Sequence, residues 1–149
     1  MIVPDASVLA NAIGDDGADG HRARTELRAA GELAAPDLVD VETTAVLRKR
    51  WLAGSISEQR FAVAIEDLED LDLDRYPTLP LMRRAYELRA NLTAYDAAYV
   101  ALAELLGCGL LTGDGRLANA PGPRCTIWLL TSTLRGRDKR RQSHSSHSR

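Results

Sequence analysis

The fold class is decided by one stretch, Leu92-Thr93-Ala94-Tyr95-Asp96-Ala97-Ala98-Tyr99-Val100-Ala101-Leu102-Ala103, and by the apolar run that follows it. Thr93 is a typical helix N-cap, and Tyr95 and Tyr99 recur four residues apart, on one face of a helix. Gly107 predicts the end of this helix. The run 109–112, Gly-Leu-Leu-Thr, then predicts a strand. A helix that leads into a strand in this way is typical of α/β proteins.

The rest of the chain repeats this alternation. Ile2-Val3-Pro4 predicts a short buried strand, with Pro4 at its last position because proline cannot donate to a sheet ladder. Two more strands are predicted, at residues 71–74 and 126–130. The other predicted helices are residues 7–13, residues 21–30, a helix opened by Pro36 and stopped at Gly54, a helix capped by Ser55 with Glu58, and a helix that begins at Pro80. We therefore expect an α/β sandwich with a mainly parallel sheet.

Length and composition indicate a single domain in a reducing compartment. The 149 residues suffice to bury a core without disulfides or metals. No apolar run approaches a membrane span, and the first residues lack the pattern of a secretory signal, so we expect a cytoplasmic protein without a membrane partner. We expect Cys108 and Cys125 to be buried thiols, with a disulfide between them as the alternative. No cysteine or histidine pair has the spacing of a zinc site.

The net charge of −2 is unevenly distributed. Residues 135–149 carry six basic residues and one acidic residue, and we expect them to form a basic, disordered tail. The preceding residues, 1–134, carry 13 basic and 20 acidic residues, a net charge of −7. So acidic a body is unsuited to nucleic acid unless bound cations neutralise part of the charge.

Four acidic residues are placed where a site would form. Asp5 and Asp114 follow predicted strands, and ligands gather at the carboxyl ends of parallel strands. Glu42 and Asp96 lie in the first turns of helices that should pack beside those strands. Carboxylates brought together raise each other's pKa unless a cation is present, and oxygen ligands without His or Cys favour magnesium or manganese. Taken singly, Asp5 is explained as well by a turn, and the other three acids are better explained by a helix cap, a solvated helix end and a tight turn.

The same residues carry a resemblance to a known family. Val3-Pro4-Asp5-Ala6-Ser7-Val8-Leu9 resembles the opening of PIN-domain ribonucleases, especially the VapC toxins of VapBC toxin–antitoxin pairs, although Pro4 departs from the usual aliphatic residue. Pro36 followed by Val41-Glu42 resembles their second acidic motif. The stretch 92–103 resembles their most distinctive motif. Leu111-Thr112-Gly113-Asp114-Gly115-Arg116-Leu117 is similar to the fourth, and together the motifs span essentially residues 1–131.

The resemblance implies a PIN-like three-layer sandwich over residues 1–134, with a mainly parallel central sheet flanked by helices. It implies an endoribonuclease that uses one or two Mg²⁺ or Mn²⁺ ions, is silenced by a VapB-type antitoxin inserting a segment into the active site, and commonly forms a homodimer. It carries over four residues as catalytic, metal-binding acids: Asp5, Glu42, Asp96 and Asp114. Ser7 and Thr112 match polar positions that support these acids or orient water and phosphate.

The expected chemistry is metal-assisted hydrolysis of RNA. One cation would lower the pKa of the attacking water, and a second would stabilise the leaving oxygen, with Asp5 as the candidate bridge between them. The expected products carry a 5′-phosphate and a 3′-hydroxyl. Histidine acid–base chemistry is set aside, because His21 lies in a predicted surface helix and His144 and His147 lie in the tail.

Two other functions remain open from the sequence. The fold could serve as a non-catalytic module that binds metal or RNA, although acids at all four motif positions favour an enzyme. A phosphatase with a nucleophilic Asp5 would want a second acid at position 7, where the chain has Ser7.

Overall fold

The computed structural model describes residues 1–131. All the strand pairs in this part of the chain are parallel. The strands are β1 (Ile2–Pro4), β2 (Ala34–Pro36), β3 (Asp74–Tyr76), β4 (Gly109–Thr112) and β5 (Ile127–Leu129). β4 lies between β1 and β5, and β2 pairs with β3. A single bridge between Ile2 and Leu33 places β2 beside β1. The strand order is therefore β3-β2-β1-β4-β5, and it reverses direction between β1 and β4.

Helices cover the sheet and continue into a smaller cluster. They are α1 (Ala6–Gly14), α2 (Ala18–Ala30), α3 (Val39–Leu52), α4 (Glu58–Asp70), α5 (Met82–Glu87), α6 (Ala94–Leu106) and α7 (Gly115–Ala118), with a 3-10 turn at Leu79–Leu81. α6 packs against β1, β2 and β4, while α2 packs on β1 and α1 on β4. α3 and α4 pack against α1. This arrangement is the α/β sandwich with a mainly parallel sheet that the sequence predicted.

The core lies in the sheet and under α6. Every residue of β1, β2 and β4 is buried, so both faces of these strands are covered, as is typical of parallel sheets. Tyr99 and Leu102 of α6, together with Leu9 of α1 and Leu110 of β4, are among the largest fully buried side chains. A second apolar cluster, around Leu47, fills the space between α1, α3 and α4. The site described below is thus carried by well-packed elements.

Local signals set several of the element boundaries as predicted. The Thr93 hydroxyl accepts a hydrogen bond from the Asp96 N–H and caps α6. Gly107 ends this helix with a φ of +64°, in the left-handed region that glycine adopts at little cost. Pro4 is the last residue of β1, where its missing N–H does no harm.

Other boundaries differ from the sequence-based expectation. Pro36 does not open a helix: it ends the buried strand β2, which three small residues form without any periodic pattern to reveal it. β3 covers 74–76 rather than 71–74, because its extent is set by pairing with β2. Ser57, not Ser55, caps α4. α2 begins at Ala18, three residues before the predicted start.

Three further observations bear on composition. Cys108 and Cys125 are free thiols, as expected, but they are partly exposed rather than buried. Trp51 and Trp128 are 41% and 51% exposed, so they are not core residues. No helix within residues 1–131 is both long and apolar enough to cross a membrane. The boundary predicted at residue 134 and the basic tail lie outside the described residues.

Candidate active site

Asp5 is the most buried of the candidate acids. It follows β1 directly and caps α1, so one residue ends a strand and begins a helix. Its Oδ1 accepts hydrogen bonds from the Ser7 hydroxyl at 2.6 Å and from the Val8 N–H at 3.2 Å, and its Oδ2 accepts one from the Thr112 hydroxyl. Burial raises the pKa of Asp5, while these hydrogen bonds act to lower it. The result is a buried carboxyl group held in a single orientation.

Ser7 and Thr112 connect Asp5 to the loop after β4. The Gly113 N–H donates to Ser7 Oγ at 3.1 Å, and the Asp114 N–H donates to Thr112 Oγ1 at 3.0 Å. A hydroxyl has one proton to donate. Because each of these hydroxyls already accepts from a backbone N–H, its own proton is available for Asp5. The two side chains therefore fix Asp5 as an acceptor and tie it to the loop that carries Asp114.

Glu42 lies in the first turn of α3 and is held by a residue of α6. The Tyr99 hydroxyl donates to Glu42 Oε1 at 3.2 Å. Burial raises the pKa of Glu42, this hydrogen bond opposes the rise, and the charges of Asp96 and Asp5 add to it. The pKa of Tyr99 is raised by its own burial and by the same acids, so its phenol keeps the proton that it donates.

Asp96 and Asp114 complete the group. Asp96 lies in the first turn of α6, and its pKa is raised by burial, then by the charges of Asp114 and Asp5. Asp114 is exposed and caps α7, accepting a hydrogen bond from the Arg116 N–H at 2.9 Å. The four predicted acids are thus within electrostatic reach of one another, at the edge of the sheet where the strand order reverses. We call them the acidic cluster.

The acidic cluster has the donor chemistry of a divalent-cation site. Carboxylate and hydroxyl oxygens are the ligands of Mg²⁺ and Mn²⁺. His21 is not part of the acidic cluster, because it lies on an exposed part of α2. Within residues 1–131, no three or more His, Cys, Asp or Glu side chains already converge on a single ion position. Glu42 and Asp96 are partly exposed and Asp114 is exposed, so all three carboxylates are accessible to solvent. Burial is the main cause of the raised pKa values of Asp5, Glu42 and Asp96, and for Glu42 and Asp96 the charges of neighbouring acids add to the rise, a repulsion that a cation would relieve.

A family model described as the PIN domain matches residues 2–123. The chain belongs to the PIN-domain family. The matched residues include all six side chains of this PIN domain that the sequence singled out: Asp5, Ser7, Glu42, Asp96, Thr112 and Asp114.

Similar proteins narrow the position of this PIN domain within the family. It is 42% identical to ribonuclease VapC9 of Mycobacterium tuberculosis over 127 residues, which cover 85% of this chain and 96% of that protein. It is also 42% identical to ribonuclease VapC1 of the same species over 129 residues, or 86% and 96%. Among solved structures, VapC20 of M. tuberculosis superposes with a TM-score of 0.62 at 18% identity, covering 79% of this chain and 93% of that chain. The chain is therefore a VapC-type PIN protein.

The sequence placed Tyr99 only on one face of a predicted helix, four residues from Tyr95. Its ring is core, but its hydroxyl reaches Glu42, 57 residues away in the sequence. Nothing in the sequence signalled this contact, because helical spacing shows which residues share a face of a helix but not which element packs against that face. Tyr99 is therefore a positioning residue, in addition to the six predicted side chains.

Proposed function

We propose that this VapC-type protein is a divalent-metal-dependent endoribonuclease and acts as the toxin of a VapBC-type toxin–antitoxin pair. The observation that carries the proposal is the acidic cluster at the strand-order reversal, with Asp5 held by Ser7 and Thr112. The relatives named ribonucleases, at 42% identity over nearly their whole length, support the same activity.

In this proposal Asp5, Glu42, Asp96 and Asp114 hold one or two Mg²⁺ or Mn²⁺ ions. When bound, the cation polarises the scissile phosphate and lowers the pKa of the attacking water. The chain contributes orientation: the hydroxyls of Ser7 and Thr112 hold Asp5 as an acceptor, and Tyr99 holds one oxygen of Glu42. Attack by water at the phosphorus with cleavage of the P–O3′ bond would leave a 5′-phosphate and a 3′-hydroxyl.

The expected protein partner is a cognate VapB-type antitoxin. Residues 1–134 carry a net charge of −7, and the acidic cluster concentrates negative charge at one edge of the sheet. A basic segment of an antitoxin would be attracted there and would exclude both cation and RNA. We also expect a homodimer, for which the exposed side chains of Trp51, Leu79 and Trp128 are candidate contacts.

The competing function is a non-catalytic module that binds metal or RNA. The two functions differ in whether RNA is cut, which makes the distinction experimental.

The test compares wild-type protein with Asp96→Asn, both freed of antitoxin, on total cellular RNA with Mg²⁺ or Mn²⁺. Asp72→Asn is the matched control, because it removes an exposed acid outside the acidic cluster. We expect discrete cleavage by wild type and Asp72→Asn, abolished by EDTA and absent in Asp96→Asn. Cleavage that survives in Asp96→Asn, or in EDTA, would refute the metal-nuclease proposal. Metal-dependent RNA binding without cleavage by wild type would favour the module.

A further inference from the structure

A cavity of about 230 Å³ opens beside the acidic cluster. Part of its wall is formed by Ser7, whose hydroxyl donates to Asp5, and by Gly113, whose N–H donates to Ser7. Arg22 of α2 and Arg50 of α3 also line this cavity. The arginines are therefore placed next to the site at which the proposed reaction occurs. We call this space the arginine cavity.

The two guanidinium groups are held by neutral partners. Arg50 Nη2 donates to the Asn11 side-chain oxygen at 2.6 Å, and Arg22 Nη1 donates to the Thr131 carbonyl oxygen at 2.7 Å. Neither forms an ion pair with a carboxylate in the described part of the chain. Their positive charge is thus fixed in place but not neutralised.

Three other arginines of the fold differ in this respect. Arg60, Arg75 and Arg84 each form ion pairs, with Asp16, Asp40 and Glu104 respectively. Their charge is used within the fold. The arginine cavity does contain one acid, Asp19, so its lining carries two positive charges and one negative charge.

We propose that Arg22 and Arg50 form a subsite for a backbone phosphate of RNA that flanks the phosphate being cut. This inference rests on the proposed function. A guanidinium group presents several N–H donors in one plane and pairs with phosphate oxygens. A strand whose scissile phosphate lies at the acidic cluster extends past Ser7 and Gly113 on leaving it, and the next phosphate enters the arginine cavity. Phosphate contacts of this kind fix the register of a nucleic acid without reading its sequence.

An acidic peptide is the other ligand that two arginines could take. It would have to lie against the acidic cluster, where its own carboxylates are repelled. RNA is not repelled in this way, because the divalent cations in the proposed site are bound by both the acidic cluster and the RNA phosphate. The observations therefore favour RNA.

The test measures how RNA binding depends on salt. The full-length chain carrying Asp96→Asn is the parent, so that bound RNA is not cut, and the probe is a fluorescein-labelled, mixed-sequence 12-nucleotide RNA followed by anisotropy. We expect Arg50→Gln and Arg22→Gln each to reduce the slope of log Kd against log salt by about 0.7, the value for one single-strand phosphate contact. If parent and variant bind equally at 1 M salt, a slope difference of about 0.7 over the decade down to 0.1 M makes the variant's binding about fivefold weaker.

Matched controls separate this subsite from a general charge effect. Arg48→Gln and Arg28→Gln remove exposed arginines from the same two helices outside the arginine cavity, and we expect the parent slope for both. Arg50→Lys and Arg22→Lys keep the charge and should keep most of the slope. An unchanged slope in both glutamine variants overturns the subsite, as do equal losses in the exposed controls or a parent that shows no salt-dependent binding.

Failure of the subsite and failure of the proposed function give different results. Wild-type cleavage of total RNA, measured in parallel, tests the function alone. If wild type cleaves RNA but the arginine variants bind with the parent slope, only the subsite is refuted. If the glutamine variants instead lose capture of a co-expressed antitoxin while the slope is unchanged, the cavity serves a protein partner and the RNA proposal is wrong.

Discussion

Replacement of Tyr99 by phenylalanine separates packing from positioning at the acidic cluster. The Tyr99 side chain is 1% exposed, and phenylalanine preserves its ring. What is lost is the hydroxyl that donates to Glu42 over 3.2 Å. A hydrogen bond to a charged group contributes about 1.5–3 kcal/mol, but this one is long and Glu42 retains access to water. We expect the free energy of unfolding to fall by about 1 kcal/mol, or about 2–4 °C in Tm.

The loss should depend on pH, because the hydroxyl favours the ionised form of Glu42. The pKa of Glu42 is raised in the folded protein, and the Tyr99 hydrogen bond limits that rise. A carboxyl group with a raised folded-state pKa contributes stability that is complete below the unfolded pKa and is lost as pH rises through the folded pKa. Without the hydroxyl the folded pKa rises further. Tyr99→Phe should therefore cost more stability at about pH 8 than at about pH 4.

The assay is thermal unfolding of wild type and Tyr99→Phe in EDTA at both pH values, with RNA cleavage in Mg²⁺ measured separately. We expect cleavage to fall roughly fivefold, which corresponds to about 1 kcal/mol of positioning, with its acidic limb moved to higher pH. Tyr86→Phe is the control, because Tyr86 is 64% exposed and lies outside the acidic cluster. Equal stability losses at the two pH values together with unchanged cleavage would refute the positioning role.

Three further predictions concern charges and hydrogen bonds, two at the acidic cluster and one at the opposite end of α6. Asp96→Asn should raise the Tm of the metal-free protein, because it removes one of several carboxylates that repel each other. Mg²⁺ should raise the Tm of wild type but not of the variant. A lower metal-free Tm in Asp96→Asn than in wild type would contradict this prediction. Thr112→Val removes the buried donor to Asp5 and should lower the free energy of unfolding in urea by about 1–3 kcal/mol, whereas Thr112→Ser should stay close to wild type. Burial acts to raise the pKa of Glu104, but hydrogen bonds from the Arg84 side chain and a backbone N–H outweigh burial, so the pKa is lowered. The stability that this carboxylate contributes is present above its unfolded pKa and is lost as pH falls through the folded pKa. Glu104→Gln should therefore lower the Tm near neutral pH but not in strong acid.

Sequence and structure agree best where a boundary depends on near neighbours. Thr93 caps α6 through a contact three residues away, and Gly107 ends it through its own backbone conformation. The positions of Asp5 and Asp114 after β1 and β4 are equally local. Agreement fails at β2, where Ala34-Ala35-Pro36 carries no periodic signal and pairs with β3 about 40 residues later, at a register that only the packed sheet sets.

The class of fold, the order of most elements and the residue types of the candidate site can therefore be inferred from the sequence, because helix caps, strand ends and acidic motifs act over a few residues of chain. Which polar groups meet depends on the tertiary structure. Tyr99 finds Glu42 across 57 residues, Thr112 finds Asp5 across 107, and Arg50 finds Asn11 across 39. These distances in the chain are closed by burial of the sheet and helices in one core, and apolar burial is non-directional: it brings elements together without recording in the local sequence which polar groups will face each other.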